Sequence, residues 1–111
     1  MGFLGRLFGK KEEEKAKAAP QISVAKAAKD NSIPPEKVGL DGKFDESGLA
    51  KRVAKALDDA GISDDVGLWV AQKGDTVVLK YNPDAESILA RAEQVAKRVD
   101  GAGGCETVPN S

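Results

Sequence analysis

The chain contains no histidine and a single cysteine, Cys105, among its 111 residues. The first absence removes every His-based catalytic triad. The lone thiol excludes an intrachain disulfide and a structural zinc site. Neither sign of charge dominates: 17 Lys and Arg face 18 Asp and Glu, a net charge of −1. The basic footprint of a nucleic-acid-binding protein is therefore missing. No apolar run approaches the roughly 18 residues that mark a membrane-spanning helix. The start, MGFLGRLFGKK, has no long apolar h-region and no small-residue cleavage site, so it does not read as a secretory signal. Gly2 opens no myristoylation motif, because Arg6 stands where Ser or Thr is required. The expected location is the cytoplasm, where one reduced thiol is ordinary.

What is present is the composition of a soluble globular chain, 41% hydrophobic and 32% charged, with enough length for one domain. Three stretches differ in character. Residues 1–21 read as a flexible amphipathic N-terminal segment. Phe3, Leu4, Leu7 and Phe8 share one helical face, with Arg6, Lys10 and Lys11 beside them, but Gly2, Gly5 and Gly9 each weaken a helix by about 1 kcal/mol. The segment is expected to be mobile and dispensable for folding. Residues 22–44 read as a short helix, with Ile22, Ala25 and Lys29 aligned, followed by a Pro/Gly-rich arm. Pro34 and Pro35 bar a helix there, while Val38 and Leu40 are candidates for pinning the arm to the domain.

The domain itself is expected over residues 45–111. Asp45 is placed as the N-cap of a helix whose stripe is Leu49, Val53, Leu57 and Ala60, with Lys51, Arg52 and Lys55 on other faces and Gly61 at the left-handed stop. Alternation at Val66, Leu68 and Val70, then at Val77, Leu79 and Tyr81, predicts a hairpin across Lys73-Gly74-Asp75. Asn82 and Pro83 suit the start of a second helix with the stripe Ile88, Ala92, Val95 and Val99, closed by Gly101. A short strand from Cys105 to Val108 completes the order. The implied fold is α+β: a small αββαβ domain, a three-stranded mixed sheet with two helices packed on one face.

The stretch from Ala50 to Gly104 resembles a BON domain over roughly residues 47–110. Val53 and Leu57 match the first helix, Val70, Gly74, Val77 and Leu79 the hairpin core, and Ala92, Val95, Val99 and Gly101 the second helix and its stop. Lys80-Tyr81 stands where a glycine often follows the second strand in that family. The apolar start is similar to that of the family's cytoplasmic potassium-binding members, in which a LysM domain follows; no LysM-like segment is read after Gly101 here. The resemblance implies a non-catalytic module that associates with a membrane surface, an envelope component or a partner protein. Its alternative is a cytoplasmic small-ligand sensor, with potassium as the ion and no other cofactor.

The candidate contact residues are Phe3, Leu4, Arg6, Leu7, Phe8, Lys10, Lys11 and Trp69. The N-terminal face fits an interfacial anchor in kind; it equally fits docking onto a protein partner or onto its own domain, or idle disorder. By alternation Trp69 faces away from the helices beside Val78. It is either a half-exposed sheet residue, one covered by the 31–44 arm, or a contact anchor of the type that dominates binding hot spots. Asp58-Asp59 and Asp64-Asp65 lack the spacing of a calcium loop and read as solvated helix-end and turn residues. Cys105, with no basic neighbour and no histidine, reads as an idle or packed thiol.

Overall fold

Leu68 and Val70, then Val77 and Leu79, recur at every second position, which puts them on one face of a pleated sheet. The computed structural model describes residues 3–12, 14, 24–62 and 67–110 and forms a hairpin there. Strand β1 (Leu68–Lys73) pairs antiparallel with β2 (Thr76–Tyr81) across Gly74-Asp75. Gly74, at φ +62°, takes the first central position of the two-residue turn, where the twist of a hairpin asks for a left-handed backbone. Leu68, Val70, Val77 and Leu79 are buried on one face; Trp69 and Val78, on the other, are half-buried. Val66 lies outside the described residues.

Strand β3 (Gly104–Pro109) runs parallel to β2, so the sheet is mixed, in the order β1-β2-β3. A parallel neighbour needs a crossover, and α4 (Glu86–Lys97) supplies it. Helix α3 (Gly48–Asp59) packs against β1 and β2, and α4 against β2 and β3. Both helices therefore cover the face of Leu68, Val70, Val77 and Leu79. From α3, Leu49, Val53 and Leu57 are fully buried; from α4, Ala92 and Ala96 are, with Ile88, Leu89, Val95 and Val99 packed at the margin. Gly61, at φ +74°, closes α3 as expected: its N–H bonds to Asp58 O at 3.0 Å and that of Ile62 to Leu57 O at 3.1 Å. This paired motif satisfies two orphan carbonyls and needs a residue free to turn left-handed.

Both expected caps are displaced. Helix α3 begins three residues after Asp45, whose carboxylate accepts from the Ser47 N–H at 2.9 Å and from Lys51 Nζ at 2.7 Å. Asn82 caps nothing with its side chain. Pro83–Ala85 forms a 3-10 turn ahead of α4, and Asn82 Oδ1 accepts from Asn110 Nδ2 at 3.1 Å. Helix α4 stops at Lys97 rather than at Gly101, which turns at φ +93° in the loop that follows.

The arm is a built part of the domain. Helix α2 (Val24–Asn31) places Val24 against Ile33 and Val38 in a small second cluster. Ile22 lies outside the described residues. Beyond the 3-10 turn Pro35–Lys37, Val38 and Leu40 are buried, as pinning of the arm requires. Arg52 holds this layer in place. The residue is 8% exposed, and its guanidinium donates from Nε to Val38 O at 2.7 Å, from Nη2 to Pro35 O at 2.6 Å and from Nη1 to Asp100 O. A Cβ on Gly101 would stand 2.9 Å from Pro35 O and 3.1 Å from Arg52 Nη2, so only glycine admits this approach. Gln72 adds a second tie, accepting from the Ala50 N–H at 2.8 Å and donating to Glu36 O at 3.0 Å.

Residues 3–8 correct the expectation of a free N-terminal segment. They form α1 (Phe3–Phe8), packed on α3 and β1, with Phe3 0% and Leu4 2% exposed in the main core. The domain boundary at residue 45 is likewise too late, since residues 3–8 and 24–44 carry core side chains. Among the described residues, no helix is long and apolar enough to cross a membrane.

Two outcomes follow from this packing. Leu57→Asp puts an unpaired charge into the core and is expected to cost more than about 4 kcal/mol, enough to abolish the cooperative thermal transition followed by circular dichroism. Arg52→Met keeps the length but takes the guanidinium donors away from the carbonyls of Val38, Pro35 and Asp100. Its expected cost is about 3 kcal/mol, read by urea denaturation, with faster amide exchange at Val38 and Gly39 than at Val77.

Candidate functional site: the N-terminal helix and Trp69

The six residues of α1 are too few to hold a helix alone, so docking makes this helix. Asp58, near the end of α3, receives its first turn: the carboxylate accepts from the N–H of Phe3 at 2.6 Å and of Leu4 at 3.1 Å. A negative side chain here meets the unpaired donors and the positive end of a helix. Asp58 is thus no idle solvated residue. Asp64 and Asp65 lie outside the described residues.

At the other end, Arg6 Nη2 donates to Leu68 O at 2.5 Å. The guanidinium lies 5.4 Å from the Phe3 ring centroid and 6.0 Å from that of Trp69, within the range of cation–π attraction. The two candidate contact regions, more than sixty residues apart in the chain, therefore meet at Arg6. Trp69 is half-buried on the helix-free face with this guanidinium over its ring, while the arm meets β1 from the opposite side, through Gln72.

The other candidate residues divide clearly. Phe3 and Leu4 are core residues and offer no surface while α1 is docked, which corrects their placement on an open apolar face. Leu7 and Phe8 are half-buried at the margin of the same core. Arg6, Lys10 and Lys11 remain exposed. Lys51 sits beside this segment, 2.5 Å from Glu12, 2.7 Å from Asp45 and 5.9 Å from the Phe8 ring. Burial works against its charge, but the hydrogen bonds that Lys51 donates to Asp45 and Glu12, together with the charges of those carboxylates, outweigh it and hold its pKa above the ordinary lysine value.

Elsewhere the chemistry is sparse. Among the described residues, no group of three or more Cys, Asp and Glu is placed to hold a metal ion. The main-chain oxygens of Pro35, Val38 and Asp100 converge on a cation, but that cation is Arg52. Burial lowers the pKa of this guanidinium, against the opposing field of Asp100. Sequence reasoning placed Arg52 on a face other than the apolar stripe of α3 and gave it no further role. The available signal was its spacing, three residues after Leu49 and beside Val53, which aims it at the packed side of α3. The exposed Phe44, with Lys37 Nζ 5.8 Å from its ring, was also missed; alternation and helical periodicity are silent in a loop.

Cys105 is half-buried on β3. Burial pushes its thiol up, Glu93 adds to the shift, Lys97 opposes it and Glu106 adds again. It is expected to remain a neutral thiol at pH 7 and to react with a disulfide reagent about tenfold more slowly in the folded protein than in urea. Phe3→Ala is expected to cost about 3–5 kcal/mol by denaturant titration, where a free tail residue would cost almost nothing. No family model, no curated protein and no solved structure matches this chain.

Proposed function

We propose that the chain is a BON-like, non-catalytic binding module that attaches to an anionic membrane surface through its N-terminal face, on the cytoplasmic side. The observation that supports this reading is the junction at Arg6. There an exposed cation lies 5.4 Å from the Phe3 ring centroid and 6.0 Å from that of Trp69, with Lys10 and Lys11 exposed further along the same segment and Leu7 and Phe8 only half-covered. Basic side chains beside partly buried apolar ones are the composition of an interfacial contact. Each basic residue held near an anionic surface adds about 1 kcal/mol. Half-covered apolar side chains add less than the roughly 1.5–3 kcal/mol of complete burial. The attachment is therefore weak, reversible and salt-sensitive. A non-catalytic role is supported by the absence of histidine and by a thiol whose pKa is raised rather than lowered.

The test is vesicle co-sedimentation of the wild type against Lys10→Glu combined with Lys11→Glu. Both positions are exposed, so the variant is expected to fold. Its affinity for vesicles containing phosphatidylserine is expected to fall at least about tenfold, with no binding of either protein to neutral vesicles. Equal sedimentation of both proteins would eliminate the N-terminal contact. Sedimentation of neither would move the reading to a protein partner.

A further inference from the structure

We infer that α1 is a strap that opens as a unit while the sheet stays folded, and that the open strap is the form that grips the surface. The second half rests on the membrane reading above; the first half stands on geometry. Among the described residues, the hydrogen bonds that fasten α1 to the domain lie at two points, Asp58 under its first turn and Leu68 O under Arg6. Neither is a ladder bond of the sheet. The register of β1 with β2 and the ties of α3 through Arg52 and Gln72 involve no residue of α1.

Beyond α1 the chain turns at Gly9, φ +97°, where even an added Cβ would meet nothing within 4 Å. It is then held again by Glu12 on Lys51. A short helix is thus bounded by a left-handed glycine in open space and by a separate anchor, the arrangement of a hinge. Opening melts α1 and frees Phe3 and Leu4, completing the apolar face that docking hides. Arg6 also has a reason to leave: its present acceptor is a neutral carbonyl, and a phosphate or carboxylate gives a stronger, charge-assisted bond. Because surface and domain compete for the same helix, weakening the docked state must strengthen surface binding.

Native-state amide exchange of the full chain tests the strap without any ligand. The Leu7 and Phe8 amides are expected to exchange about tenfold or more faster than those of Val77 and Leu79, once corrected for sequence. Asp58→Asn, which weakens the lower attachment, is expected to speed Leu7 and Phe8 by about another tenfold and leave Val77 and Leu79 unchanged. Arg6→Gln gives a second variant for the same measurement at the upper attachment. On phosphatidylserine vesicles, Asp58→Asn is expected to bind at least about threefold more tightly than the wild type. The emission of Trp69, the only tryptophan, is expected to shift on binding as Arg6 leaves its ring. Exchange of Leu7 and Phe8 at the rate of Val77 and Leu79 overturns the strap, because α1 then opens only with the whole domain. Wild-type binding with no gain in Asp58→Asn overturns the gripping role of the open strap and leaves the membrane contact standing. Local exchange with no vesicle binding by either protein overturns the gripping role and the membrane reading together.

Discussion

The guanidinium of Arg52 is the interaction on which the layout of the domain depends. It carries a charge out of water into a site that is 8% exposed and finds its partners in main-chain carbonyls from separate stretches of chain. Two of these, Pro35 and Val38, belong to the arm, and the third, Asp100, to the loop that leads into β3. A buried cation without acceptors is strongly unfavourable, so these segments are held at fixed distances from α3. Planarity matters here: the fork donates in several directions at once, which an ammonium on a flexible stem does less well. Gly101 belongs to the same constraint, since any side chain there would collide with Pro35 or with Arg52 itself.

The second constraint is the cover over the open side of α3 and β1. A sheet of three short strands with two helices has little apolar surface to bury, and small domains are marginal for that reason. Docking α1 adds Phe3 and Leu4 to the core, and Asp58 satisfies donors that a helix so short cannot satisfy itself. An amphipathic segment carries no label saying which apolar surface it will meet. The face that fits a lipid interface also fits the groove between α3 and β1, and the nearer surface at higher effective concentration is the chain's own.

Local rules were enough wherever a residue's role depends on its near neighbours in sequence. The hairpin follows from alternation and a glycine turn; α3 and its Gly61 stop follow from a stripe and one left-handed position. The arm's Val38 and Leu40 were legible as pins because they are large apolar residues in a stretch where adjacent prolines bar an α-helix. Local rules failed where a side chain answers to a distant partner. Asp45 looked like a cap, yet its carboxylate is taken by Ser47 and Lys51. Asn82 looked like another, yet it meets Asn110 across the end of the sheet. In the candidate site, Trp69 and the basic N-terminal residues were each legible as contact residues, but the contact between them was not.

The αββαβ order, the mixed three-stranded sheet and the face that both helices cover are legible in the order of the residues. Each of these is written in hydrophobic periodicity, which acts between residues a few positions apart and needs no knowledge of the rest of the chain. The place of α1 in the core, the burial of Arg52 among carbonyls and the position of Arg6 over Trp69 arise only when the chain is folded. Those outcomes join residues more than sixty positions apart, and their free energies come from desolvation and geometry in the assembled fold. Such terms do not exist until the partners have been brought together.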